Sequence, residues 1–106
     1  MLTKHVKVTK VNFTPNGINK LPKTPGVYIS GCGRDINYVG SSVDVQRRVK
    51  QQARDGLDGC YIKTIATRTR QQAYDLERAL IGDICPSENK SKPRHCKTSL
   101  WDQLFR

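Results

Sequence analysis

Two tyrosines, an arginine and a glutamate are the side chains whose types and spacing could do chemistry on an anion: Tyr28, Tyr38, Arg48 and Glu77. Tyr28 and Tyr38 fall on two β-rich runs, 26–30 and 36–40, joined by Gly31-Cys32-Gly33-Arg34-Asp35, which has the composition of a hairpin loop. A loop symmetric about Gly33 sets Tyr28 directly opposite Tyr38, with both hydroxyls on one face and Val27, Ile29 and Val39 turned into the core. Arg48 comes one turn after Val45, on the side of Gln52. There a guanidinium can grip a phosphate bidentately or pair with Asp44, four residues before it. Glu77 follows Leu76 directly and Ala73 by four, at the rim of an apolar stripe. A lone carboxylate there is either an oxygen ligand of the kind Mg²⁺ takes or a surface partner for Lys or Arg. Taken one at a time, these residues read equally well as a cross-strand aromatic pair and two solvated charges.

The elements that must carry them follow from local signals. Residues 5–11 alternate apolar and polar as a short half-exposed strand, and the turn residues Pro15-Asn16-Gly17 and Pro22 to Pro25 place the start of the compact domain near Pro25. Ser41 or Ser42, with Asp44 close behind, caps a helix from about Val43 to Asp55, whose inner face is Val45, Val49 and Ala53. Ser41 and Ser42 could also donate to a phosphate, but capping is the favoured reading. The run 60–67 is apolar on both faces, as a covered strand would be. Thr69-Arg70-Gln71-Gln72 has the spacing of a capping box and opens a second helix, with Ala73, Leu76, Leu80 and Ile84 as its buried stripe and Pro86 as its stop. Residues 99–105 could form a short helix. The expected fold is a small α/β domain: a three-stranded, mostly antiparallel sheet flanked by helices, with short basic terminal extensions at 1–24 and 93–106.

The chain has 106 residues and a net charge of +10. That length suits one domain, and that charge calls for a polyanionic partner, nucleic acid first. Residues 1–24 carry +5 and residues 90–106 carry +4, leaving +1 for the middle. Near-neutral centre and basic flanks suit a selective core between segments that grip phosphate. No apolar run is long enough to span a bilayer and the start has no signal-peptide pattern, so the sequence predicts a cytoplasmic protein with no membrane partner. Cys32, Cys60, Cys85 and Cys96 contain no C-x-x-C pair and are expected to be reduced thiols rather than a zinc site.

Gly26-Val27-Tyr28 and Tyr38-Val39-Gly40, with Arg48 ten residues after the second tyrosine, a helix-borne Glu77, and Asn89 in a polar loop after Pro86, together resemble the GIY-YIG nuclease family. The resemblance covers residues 25–92. It implies a DNA endonuclease of phage, mobile-element or restriction type, dependent on Mg²⁺ (or Mn²⁺), with one ion per active site held by Glu77. Water would attack the phosphorus in line, with no covalent intermediate. Arg48 would hold the charge that develops on the phosphate. Tyr28 and Tyr38 would orient the water, one of them acting as general base, which a phenol can do only beside a cation. Asn89 would tie its loop to the floor of the site. Many members place a histidine one turn after the arginine, where this chain has Gln52; a glutamine cannot titrate and is left as a hydrogen-bond partner for phosphate or water. The expected nucleic-acid contacts are Lys4, Lys7, Lys10, Lys20, Lys23, Arg47, Gln52, Lys90, Lys92 and Arg94. RNA as substrate and a homodimer stay open, with no aromatic platform beyond the two tyrosines to argue for single-strand stacking. The rival is a non-catalytic nucleic-acid-binding module on the same scaffold, and a binder has no need of the glutamate, the arginine and both tyrosines.

Overall fold

The computed structural model describes residues 8–84. The elements run β1 (Val8–Asn12), α1 (Pro15–Ile18), β2 (Gly26–Cys32), β3 (Asp35–Ser42), α2 (Val45–Arg54), β4 (Tyr61–Ala66) and α3 (Arg70–Ile84). The sheet is antiparallel at every pairing, in the order β1-β4-β2-β3.

It has four strands where the sequence predicts three. The extra one is the alternating stretch near the N-terminus, which pairs with β4 from Val8↔Ile65 to Asn12↔Tyr61. Its period-two pattern turns Val11 inward, against the cluster that contains Ile62, and leaves Val8 exposed. Alternation alone identifies such a strand without showing its partner, and β4 lies some fifty residues away in sequence. Ile18 and Leu21, from the stretch between β1 and β2, are buried in the same cluster.

Each face of the sheet is covered differently. On one side α1, the segment after it and α2 pack Ile18, Leu21, Val45 and Val49 over Tyr28 and Ile62. On the other, α3 lays Ala73 and Ile81, with Leu76 and Leu80 partly buried, over Val27, Ile29, Ile36 and Val39. Val45, Val49 and Ala53 do form the inner face of α2, so a charge at Val49, which is fully enclosed, would dismantle that layer. Burying a side chain of this size stabilises by roughly 1.5–3 kcal/mol. Gln46 is a polar exception: its Nε2 donates to the carbonyls of Asn19 and Leu21, at 3.0 Å each, and pins α1 to α2.

Three local expectations need correcting. The helix cap is Asp44, whose Oδ1 accepts from the Arg47 amide at 3.1 Å, while Ser42 bonds the Asp44 amide and shapes the turn before it. The hairpin is not symmetric about Gly33. It turns tightly between Cys32 and Asp35, with Gly33 at φ 62°, and the register shifts between Ser30 and Gly31, so Tyr28 lies opposite Gly40 and Tyr38 opposite Ser30. Finally, Cys32 and Cys60 are joined in a disulfide rather than reduced, with Cα atoms 4.7 Å apart. Pairing of Gly31 with Tyr61 brings the end of β2 beside the start of β4 and so brings the two cysteines together. Cys85 and Cys96, like the helix expected at 99–105, lie outside the described residues.

Candidate active site

β3 is an edge strand, and the site is built around its C-terminal end. The altered register leaves Tyr28 and Tyr38 diagonal rather than opposed, yet on one face, with ring centroids 5.9 Å apart and planes inclined by 30°. The residue facing Tyr28 is Gly40, and this explains the glycine: a Cβ there would overlap the Tyr28 phenol. Tyr28 is 1% exposed, whereas Tyr38 is only half-buried. The Tyr28 hydroxyl lies within hydrogen-bonding reach of both the Arg48 guanidinium and Tyr38. Burial raises the Tyr28 pKa well above that of an ordinary phenol, proximity to Tyr38 adds to the rise, and Arg48 opposes it. Arg48 also donates from Nη1 to Gln51 Oε1 at 2.9 Å, and these contacts fix its guanidinium on the α2 side of the sheet.

Glu77 approaches from the opposite layer. Ser41, two residues beyond Val39 and on the same face, donates from Oγ to Glu77 Oε1 at 2.6 Å. The two layers thus meet around the end of β3, where an open cleft of about 680 Å³ is walled by Ser41, Ser42, Val43 and Arg48 on one side. Arg70, Gln71 and Tyr74, from the first turns of α3, form the other wall. Thr69 accepts from the Gln72 amide at 3.1 Å, as a capping box requires, but the Gln72 side chain reaches back to the Arg68 amide instead of that of Thr69.

The carboxylate suits a magnesium ion. Glu77 is half-buried beside polar cleft walls and spends only one oxygen on Ser41. Mg²⁺ takes one or two carboxylates and keeps several waters, which an open cleft admits. Among the described residues no group of three or more His, Cys, Asp or Glu side chains is placed to hold a metal ion.

Tyr28, Tyr38, Arg48 and Glu77 are therefore grouped around one strand end. Arg47 is exposed on α2 and Gln52 half-buried one turn after Arg48. Lys20 and Lys23 are exposed on the segment between α1 and β2. Lys10 is on β1, the opposite edge of the sheet from the cleft, with its ammonium 4.7 Å from the centre of the Tyr61 ring. Asn89, Lys4, Lys7, Lys90, Lys92 and Arg94 lie outside the described residues. Arg70 and Tyr74 are cleft residues that the sequence does not mark as functional, and Ser41, favoured there as a cap, bonds Glu77 instead. Tyr74 and Arg70 precede Glu77 by three and seven residues, so helical spacing from Glu77 would have found both. Tyr74 is 49% exposed, which corrects the expectation that no aromatic beyond Tyr28 and Tyr38 is open to a base.

This architecture matches solved structures. The GIY-YIG N-terminal endonuclease domain of UvrC from Thermotoga maritima, in a point mutant bound to its catalytic divalent cation, superposes with a TM-score of 0.65 at 21% identity, covering 72% of this chain and 93% of that one. The chain has the GIY-YIG fold. The same Thermotoga domain bound to magnesium gives a TM-score of 0.58 at 24% identity, over 70% of this chain and 92% of that one. By sequence, the UvrABC system protein C of Protochlamydia amoebophila (strain UWE25) is 31% identical over 91 residues, covering 74% of this chain. The matched stretch is 15% of that relative's length. No family model matches the chain. Among the described residues no helix is long and apolar enough to cross a membrane.

Proposed function

We propose that this GIY-YIG domain is a divalent-metal-dependent DNA endonuclease that cuts one strand per active site by in-line attack of water. The observation that carries the reading is a cleft lined by Arg48 and Ser41, with the Glu77 carboxylate hydrogen-bonded to that Ser41 and the Tyr28–Tyr38 phenol pair adjoining that Arg48. The solved relatives of the same fold, endonuclease domains bound to a catalytic divalent cation, support it.

In this reading Glu77 holds the ion, Mg²⁺ or Mn²⁺, and Ser41 keeps the carboxylate aimed at it. When bound, the ion supplies Lewis-acid polarisation of the phosphate and a more acidic water. Arg48 is fixed beside the cleft before substrate arrives, so its charge meets the pentavalent phosphate without reorganisation. Tyr28 is disfavoured as a base because burial stabilises its neutral form. It braces Arg48 and Tyr38, and Tyr38, acting as its phenolate beside Arg48 and the ion, takes the proton from the attacking water. The positive total charge of the chain supports a polyanionic substrate. Incubation with supercoiled plasmid and Mg²⁺ tests the reading: nicked circles lost with EDTA support it, and intact plasmid at every Mg²⁺ and Mn²⁺ concentration contradicts it.

A further inference from the structure

Among the described residues three large hydrophobic side chains are exposed, Val8, Val43 and Tyr74, and two of these three, Val43 and Tyr74, line the cleft beside Arg48. They stand 55% and 49% exposed, from the β3–α2 turn on one wall and the second turn of α3 on the other. Neither is needed for packing, since the two apolar layers are completed by other residues of α2 and α3. Two exposed apolar side chains in an otherwise polar cleft, with Arg48 and Arg70 also lining it, suit a ligand that carries both a flat ring and a phosphate.

We infer that this cleft holds an unstacked nucleotide next to the scissile phosphate, its base lying against Tyr74 and Val43 and its flanking phosphate on Arg70. The inference rests on the nuclease reading and deepens it by naming the form of the substrate. A volume of about 680 Å³ is within the ~300–1,000 Å³ of sites that enclose small ligands. Arg70, Tyr74 and Arg78 recur every four residues on α3, so they form one row. The Arg78 guanidinium sits 6.0 Å from the Tyr74 ring centre, steadying the ring in place before a base arrives. Glu77, three residues after Tyr74, lies on a neighbouring strip of the same helix, so a base at Tyr74 belongs to a nucleotide adjacent to the cut. Arg48 then serves the reacting phosphate and Arg70 the next one. Duplex DNA offers an unstacked base only at cost, whereas a mismatch, bulge or strand junction offers it cheaply. The cleft therefore selects DNA that is locally unpaired at the cut.

The test uses the full chain carrying Glu77→Gln, which binds without cutting, and two duplexes of one sequence, fully paired or with a single bulged 2-aminopurine. The expected results are roughly tenfold tighter binding of the bulged duplex and quenching of the 2-aminopurine fluorescence, as one base–aromatic stack would produce. Adding Tyr74→Ala removes both effects, while Tyr74→Phe keeps both. Equal affinity for the two duplexes, or a preference and quenching that survive Tyr74→Ala, overturns the inference. Tyr74 is on a solvent-facing helix position, and unchanged thermal unfolding of both variants excludes misfolding as the cause. Failure of the nuclease reading shows up separately, as wild-type chain that leaves plasmid uncut, because the binding comparison does not depend on turnover.

Discussion

Ser41 donates a 2.6 Å hydrogen bond to Glu77, tying the end of an edge strand to the helix packed across it. The bond orients the carboxylate that would carry the metal and fixes the distance between the two walls of the cleft. Ser41→Ala is expected to cost about 1.5–3 kcal/mol of stability, as loss of a hydrogen bond to a charged group does. It should also raise the Mg²⁺ concentration needed for half-maximal cleavage several-fold while leaving DNA affinity unchanged. Thermal unfolding and a Mg²⁺ titration of the cleavage rate check this, and an unshifted titration would show that Glu77 needs no tether.

The two tyrosines should separate. Tyr38→Phe removes the proton acceptor and is expected to lower the cleavage rate by roughly a hundredfold or more. Tyr28→Phe removes a brace and should cost far less. Equal losses, or the reverse order, would reject Tyr38 as the base.

Tyr28 also makes an alkaline prediction. Its pKa is raised on folding, so the folded state holds that proton more tightly than the unfolded state does. The stability it contributes is fully present below about pH 10, the ordinary phenol value, and is lost as pH rises beyond it. Tyr61, raised by burial and then by Asp35, adds a loss of the same sign. Urea midpoints measured between neutral and strongly alkaline pH should fall for the wild type and fall less steeply for Tyr28→Phe.

Cys32–Cys60 links β2 to β4 beside the hairpin turn, at the end of the sheet away from the Gly26↔Ser42 pair that borders the cleft. Its 28-residue separation implies that reduction lowers stability by about 2–4 kcal/mol, on the order of 10–20 °C in Tm. Cleavage well below that lowered Tm should be unchanged. Scanning calorimetry and plasmid nicking with and without dithiothreitol give the comparison; lost cleavage at full folding would place the disulfide in the site's support.

How much of this was legible in the sequence follows from the range of the interactions. Val45, Val49, Leu76 and Leu80 could be placed because helical periodicity is local. Tyr28, Tyr38, Arg48 and Glu77 could be named together because the family resemblance orders them along the chain, each on its own element. The hairpin register was not legible: the irregularity between Ser30 and Gly31 is settled by how β2 pairs on both sides, with β3 and β4. The same long-range pairing created the fourth strand and brought Cys32 to Cys60. Ser41 looked like a cap because its actual partner, Glu77, is 36 residues away and joins it only when α3 packs on β3. Tyr74 lies one helical turn before Glu77, and the sequence does not mark it because an exposed aromatic shows itself only once burial is known.

The claim at the centre of the account is that Glu77 holds the metal and does not hold the DNA. Cleavage of supercoiled plasmid and equilibrium binding of a labelled oligonucleotide should be measured side by side for the wild type and Glu77→Ala. The account predicts that the variant binds within roughly twofold of the wild type and produces no nicked circle at any Mg²⁺ or Mn²⁺ concentration. A Glu77→Ala chain that still nicks plasmid would contradict it.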